Sequence, residues 1–417
     1  MLPKQKMIDV AVSLFTVAVI IALGFFADIF FNKTKIPDVI WLLLFGILIG
    51  SVLKIVDQEE LFGMAPLFTS IAIAIILFES GRKMKIMELF RESYSVTIFM
   101  LANLLMSTLL LALGGRFLFG LELEKAVLLG VIVAGTSSPM IVTIVDRLGI
   151  RAKVKTIMSV ESVINSPFVI VVGLILMESL ASPQSIISFS NISSDIAKNF
   201  AVSIVVGLII GVVWARALSN LQIYKYHHLM TISVLFLVYV LSDYLGGSGA
   251  MAALVMGITV GNYAFIFSKI EKKKIVVLTK ETKDFNAIIA FVIRTFFFVF
   301  IGAVASLDDY RSIAIGLALT VLLLAARFMV VYPTASILRL SMREMLTMGF
   351  MIPTGLSAAV LAVLPFAYYN ISGTEHFVDI VFTIILATTI FATVSVGIVE
   401  NIYNKRTRSK KNTPTPQ

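Results

Sequence analysis

The residues with the most chemistry to offer are three charged side chains standing inside long apolar stretches: Glu161, Arg294 and Arg327. A charge at membrane depth costs about 2.5–3.5 kcal/mol on insertion scales, so each of the three needs a partner or a task. Glu161 opens the segment Glu161-Ser162-Val163-Ile164-Asn165-Ser166-Pro167, where the i,i+4 spacing of Glu161 and Asn165 places both on one helix face. Arg294 precedes the apolar run Phe296-Phe297-Phe298-Val299-Phe300, and Arg327 follows another. One carboxylate between two guanidiniums makes a reasonable buried cluster, in which Glu161 only ties helices together. Asn165, Ser166 and unwound carbonyls near Thr136 are then left as oxygen ligands, a donor set that suits a hard monovalent cation.

Two stretches carry helix-disrupting residues at the same depth. One reads Ala134-Gly135-Thr136-Ser137-Ser138-Pro139 and the other Ile352-Pro353-Thr354-Gly355-Leu356-Ser357. Proline removes a helical hydrogen bond and clashes with the preceding turn, and glycine loosens the backbone. Unwound backbone survives within a bilayer only where it faces protein or a watery cavity. Proline and glycine are also frequent in ordinary membrane helices, with Ser and Thr as interhelical hydrogen-bonding groups, which is the competing structural reading.

The elements that must position these residues are membrane helices. The chain of 417 residues is 59% hydrophobic and 14% charged, with a mean hydropathy of +0.98, too little polar surface to cover a water-soluble globule. Apolar stretches bounded by charges fall near 10–31, 37–53, 63–80, 94–114, 126–145, 156–178, 199–218, 229–245, 248–267, 285–306, 312–333, 344–367 and 377–399. These are about thirteen transmembrane helices of an all-α membrane protein. The two disrupted stretches are the fifth and twelfth, so they cross in opposite directions, as an inverted repeat with two discontinuous helices requires. The first stretch is longer than a signal-peptide core and is read as a retained helix.

Counting Lys and Arg on alternate connections, with Arg216 at the end of its stretch taken with the connection it adjoins, gives 25 on one side and 7 on the other, with Arg294 and Arg327 inside spans. That asymmetry places the C-terminus in the cytoplasm and the N-terminus outside. It also accounts for the net charge of +9 as a topology signal, with no nucleic-acid partner required. The run Lys272-Lys273-Lys274 reads as a solvated loop face that touches anionic lipid.

Several chemistries are excluded. The absence of cysteine removes disulfides, thiolate metal sites and thiol catalysis. His227, His228 and His376 fall beside span ends as interfacial residues, with no convergent set of metal ligands visible around them. Asp28, Glu79 and Asp243 lie near span ends, Asp38 follows Pro37 at a helix start and interacts with its dipole, and Asp308-Asp309 reads as an exposed loop. No nucleotide-binding glycine loop or hydrolytic triad is present, so an enzyme is not expected and no cofactor is implied.

Further segments complete the pattern: Ile36-Pro37 leading into Trp41-Leu42-Leu43-Leu44-Phe45-Gly46, then Leu77-Phe78-Glu79-Ser80-Gly81, Phe298-Val299-Phe300-Ile301-Gly302 after Arg294, and Pro353-Thr354-Gly355. In their order and spacing, together with Gly135-Thr136-Ser137-Ser138 and the Glu161 segment, they resemble the monovalent cation:proton antiporter (sodium/hydrogen exchanger) family over nearly the whole chain. The resemblance implies a homodimer in the plasma membrane that exchanges Na⁺ or K⁺ for H⁺ by alternating access. Its core domain would hold two crossed broken helices, marked by Pro139, Pro353, Thr354 and Gly355, and would move elevator-like against a dimerisation domain. Thr136, Ser137, Glu161, Ser162, Asn165 and Ser166 map to the ion site, and Arg294 and Arg327 to structural charge partners, with Glu161 paired to Arg327. Residues 1–403 form the exchanger domain and 404–417 a short basic tail.

The chain departs from this pattern at the chemically decisive place. Relatives usually carry an aspartate directly after the position of Asn165, and many carry another at the position of Ser137; here both are serine. A serine hydroxyl can coordinate Na⁺ or K⁺ but does not titrate near neutral pH. Either proton coupling has moved to Glu161 or a nearby group, or the protein is a proton-independent carrier or channel-like member of the same fold.

Overall fold

The computed structural model describes residues 4–34, 36–54, 58–84, 86–145, 148–181, 189–221, 226–267 and 280–411. Lys272, Lys273 and Lys274 lie outside the described residues. The described chain is helical throughout, and its one β-type pairing is an isolated bridge between Thr136 and Thr354. Nine of its helices are long and apolar enough to cross a membrane, and three shorter apolar helices span Asp38–Val52, Gly249–Tyr263 and Leu356–Ala367.

The elements follow the apolar stretches in order. Helices α1 (Lys4–Thr34) and α2 (Asp38–Ile47), the latter ending in a π-helical stretch (Leu48–Val52), precede α3 (Gln58–Lys83) and α4 (Ile86–Phe119). The fifth stretch is split into α5 (Leu123–Val133) and α6 (Ser138–Val145). Then come α7 (Ala152–Ala181), α8 (Phe189–Leu221), α9 (His227–Tyr244), α10 (Gly249–Phe267), α11 (Lys280–Val304) and α12 (Tyr310–Ile337). The twelfth stretch is likewise split, into α13 (Met342–Phe350) and α14 (Leu356–Ala367), before α15 (Phe377–Lys411). Helix α15 continues well past the apolar stretch near 377–399, because nothing between Val399 and Lys411 breaks it.

Helices α2 and α11, and α3 and α10, pack backbone against backbone. A methyl group on Gly46 of α2 would collide with the Val299 carbonyl of α11, and one on Gly257 of α10 with the Phe78 carbonyl of α3. Small residues at such contacts let helices approach closely enough for dispersion to hold them where lipid offers no hydrophobic driving force. Outward faces are apolar instead: Phe25, Leu105, Leu237 and Val321 are all exposed. In water so many exposed large side chains would be a liability, but in a bilayer they face their solvent.

The core tightens around α7 and α14. Val169 and Ile170 of α7 and the run Ala358 to Ala362 of α14 are wholly buried, and the two helices pack together beside α5. An irregular backbone is therefore held at the molecule's centre, enclosed by protein on every side that would otherwise meet lipid.

Candidate functional site

The site is the crossing of the two interrupted helices. Between α5 and α6, residues 134–137 leave the helix, and between α13 and α14, residues 351–355 do the same. The two extended segments lie antiparallel: Thr136 pairs with Thr354, and the Ser137 backbone N–H donates to the Pro353 carbonyl at 2.7 Å. Antiparallel contact is what two helices crossing in opposite senses produce. Gly355 permits the close approach, since a Cβ there would stand 2.6 Å from the Ser137 Cβ. Pro353 sits in the extended segment, whereas Pro139 lies in the first turn of α6, where its missing N–H costs nothing.

Helix α7 lies against this crossing through its polar face. The Asn165 amide nitrogen donates to the Ala134 carbonyl at 3.3 Å and to the Thr136 hydroxyl at 3.5 Å. The Ser166 hydroxyl donates to the Thr136 carbonyl at 3.1 Å, and the Ser138 hydroxyl to the Ser162 carbonyl at 2.5 Å. On the other side, the Thr354 N–H donates to the hydroxyl of Thr388 on α15 at 3.1 Å. Thr136, Ser137, Ser162, Asn165, Thr354 and Ser357 are all buried. Yet the Asn165 side-chain oxygen and the Thr354 and Ser357 hydroxyls have no hydrogen-bond partner among the described residues. Each of these three groups abuts the 134–136 segment: Asn165 by its hydrogen bonds, Thr354 by the bridge, and Ser357 beside Gly135. A buried polar atom without a partner costs about 1–3 kcal/mol, so three on one short segment need an explanation. Oxygen ligands to a hard cation provide one.

The charged residues separate into two pairs. Arg327 of α12 grips Glu161 with both terminal nitrogens, at 2.7 and 2.9 Å, and both side chains are completely buried. The remaining Arg327 donor, Nε, reaches the Met348 carbonyl at 3.0 Å, and the Phe99 ring lies 4.8 Å from the guanidinium carbon. Asn103 donates to Glu161 at 3.5 Å. Arg294 does not join them. It pairs with Asp38 at the start of α2, 2.9 Å away, so the single cluster expected around Glu161 is corrected to two separate pairs. The reason is that Arg294 lies on α11, the packing partner of α2, and Asp38 stands within its reach.

Two cavities meet at Ser137 and Pro139. One, of about 610 Å³, is lined by Asp28, Asp38, Ser137, Arg294 and Leu356 among others. The second, of about 360 Å³, is lined by Glu79, Arg82, Ser137, Ser138, Ser166 and Ser357 among others. Both reach the ends of helices that carry the Lys- and Arg-rich connections, at Asp38 and Lys83. Glu161 lines neither. Glu79 accepts from Arg82 at 2.7 and 2.8 Å, with Lys83 at 3.8 Å. Its sequence position near a span end gave no sign that it faces the same space as Ser137 and Ser166, and Asn103 and Thr388 were likewise unmarked. The only available signal was their polarity within apolar stretches. His227 and His228 begin α9 at a span end, as expected, and Asp309 proves to be the N-cap of α12, accepting from Ser312 N–H at 3.2 Å.

Comparison with known proteins gives a consistent result. The sequence profile of the family described as "Sodium/hydrogen exchanger, transmembrane" matches residues 16–401. The chain is 26% identical over 291 residues to "Na(+)/H(+) antiporter 1" of Methanocaldococcus jannaschii, covering 66% of this chain and 65% of that protein. It is 25% identical to "Probable Na(+)/H(+) antiporter 2" of the same organism, covering 88% of this chain and 89% of that one. With "K(+)/H(+) antiporter NhaP2" of Shewanella baltica it shares 23% identity, over 55% of this chain and 40% of the relative. The chain thus spans less than two thirds of the length of the first and third of these. Among solved structures, the sodium proton antiporter MjNhaP1 from Methanocaldococcus jannaschii superposes with a TM-score of 0.77 at 22% identity, covering 94% of this chain and 98% of that one.

Proposed function

The chain belongs to the sodium/hydrogen exchanger family, and from that premise we propose that it exchanges Na⁺ or K⁺ for protons by alternating access at the crossing of its two broken helices. The observation that carries this reading is the set of unpartnered buried oxygens of Asn165, Thr354 and Ser357 around residues 134–136, with Ser357 also lining the smaller cavity. Together with the Ser137 and Ser166 hydroxyls and the Thr136 carbonyl, they form a neutral oxygen shell that can replace the hydration of a monovalent cation. Relatives named for Na⁺ and for K⁺ support the substrate class without choosing between the ions.

Proton coupling needs a group that titrates, and neither Ser137 nor Ser166 does. Glu161 is sealed from both cavities and bonded to Arg327 through both oxygens, a geometry that suits a structural tie. Glu79 shares a cavity with Ser137, Ser138 and Ser166, so it is the carboxylate we assign to proton exchange, with Arg82 releasing it as a cation arrives. The cavities reach the ends bearing the 25 positive charges, which corresponds to a state open to the cytoplasm with the N-terminus outside. In this reading residues 1–403 form the transport unit and 404–417 a basic tail, in a homodimer embedded in the plasma membrane.

The test uses proteoliposomes with an internal pH dye. Glu79→Gln should abolish cation-driven proton flux, while Glu161→Gln reduces folded protein and leaves the remainder coupled. Wild-type cation uptake with no proton movement would instead favour the uncoupled carrier, for which Ser166 is the motivating observation.

A further inference from the structure

Asp309 converges with His376 and Asp379, which lie three residues apart, on the face opposite the basic connections; Asp309 is far from that pair along the chain but close in space. Their nearest ligand atoms all lie within 4.8 Å of one another. His376 Nδ1 stands 3.0 Å from an Asp309 oxygen and 3.9 Å from an Asp379 oxygen. Two ligands each about 2.1 Å from one tetrahedral ion stand roughly 3.4 Å apart, a value between those two distances.

We infer that Asp309, His376 and Asp379 form a binding site for a divalent transition-metal ion of the Zn²⁺ type. One imidazole and two carboxylates supply three ligands of the borderline kind such ions take, with a water completing the shell. Each carboxylate is already aimed by a contact that leaves it able to ligate. Asp309 accepts from Ser312 N–H through Oδ1, and its Oδ2 accepts from the Ser312 hydroxyl at 2.5 Å, with a second lone pair toward His376. Asp379 accepts from Ser306 N–H at 2.7 Å through Oδ1, which frees Oδ2. Such outer contacts orient ligands in real metal sites. Among the described residues, neither carboxylate is paired with a lysine or arginine, and the largely exposed His376 imidazole is the basic side chain beside them. The cluster therefore carries excess negative charge.

An ion here would clip the start of α12 to the start of α15. Helix α12 carries Arg327 and α15 carries Thr388, so the clip joins two helices that support the crossing. The site is separate from the transport cavities, whose lining includes none of the three residues.

The experiment is equilibrium binding of Zn²⁺, and of Co²⁺ for its ligand-field absorption, to the full-length detergent-purified protein. The background is His227→Ala/His228→Ala, which leaves His376 as the sole histidine. One ion per chain should bind, excess Ca²⁺ should not displace it, and His376→Ala should weaken binding about tenfold or more. Because His376 is exposed, that variant keeps the fold; Asp379→Asn should weaken binding as well, with melting temperature checked in parallel. The inference is overturned if the background protein binds neither ion, or if His376→Ala binds both as tightly as its parent, which would leave the cluster as an ordinary ion pair.

Discussion

Replacing Arg327 or Glu161 alone should destabilise the protein far more than replacing both. Each partner is completely buried and bonded to the other through two charge-assisted contacts of 2.7 and 2.9 Å. Glu161→Gln leaves Arg327 charged at the centre of the bundle with only neutral groups near it, namely the introduced amide oxygen, the Met348 carbonyl and the Phe99 face. Breaking such a pair from one side costs roughly 3–5 kcal/mol, because the remaining charge keeps its desolvation penalty and loses its compensation. At a few degrees per kcal/mol for a domain of this size, the melting temperature should fall by on the order of 10 °C. The double replacement Glu161→Leu/Arg327→Met removes both charges and fills similar volume, so most of that loss should return. The assay is thermal unfolding in detergent followed by intrinsic fluorescence and by loss of monodisperse protein. A single variant that melts like wild type, or a double variant no better than the worse single, would refute this account of the pair.

Three further outcomes follow from the same geometry. Ser166→Asp places a carboxylate beside the Thr136 carbonyl at the edge of the cavity, and should make cation binding about tenfold tighter and newly dependent on pH, read by cation titration in proteoliposomes. Gly355→Ala forces a Cβ to within 2.6 Å of the Ser137 Cβ and must spread the crossing, so transport should be lost with a stability cost of roughly 1–3 kcal/mol, measured by flux and melting temperature. Arg294→Gln removes a positive charge from the larger cavity; its partly exposed pair with Asp38 contributes about 1 kcal/mol at most, so melting should barely move while the KM for cation falls severalfold at low salt and converges with wild type at high salt.

The spans were legible because lipid imposes one demand on every residue of a crossing helix, and hydropathy measures it. Both interruptions were legible too, since Gly135 and Pro139, or Pro353 and Gly355, are expensive in any continuous helix and mark where the backbone leaves it. What a polar residue within a span announces is that a partner exists; it does not say which. Arg294 illustrates this: nothing in its own stretch points to Asp38, which is brought to it by the close packing of α2 on α11 through Gly46 and Gly302. Glu79 looked like an interfacial residue because distance to a span end says nothing about the azimuth of a side chain around its helix. Asp309, His376 and Asp379 were hidden for a different reason, since two loops distant in sequence must fold together before they meet.

The central claim is that a neutral oxygen shell at the crossing binds a monovalent cation in exchange for a proton. Wild-type protein in sealed vesicles with an acidic lumen and an internal pH dye tests it most directly, with Na⁺ or K⁺ added outside between about pH 6 and 9. The lumen should alkalinise on addition of at least one of the two ions, with no response to choline. An unchanged luminal pH across that range, in vesicles shown to hold folded protein, would contradict it.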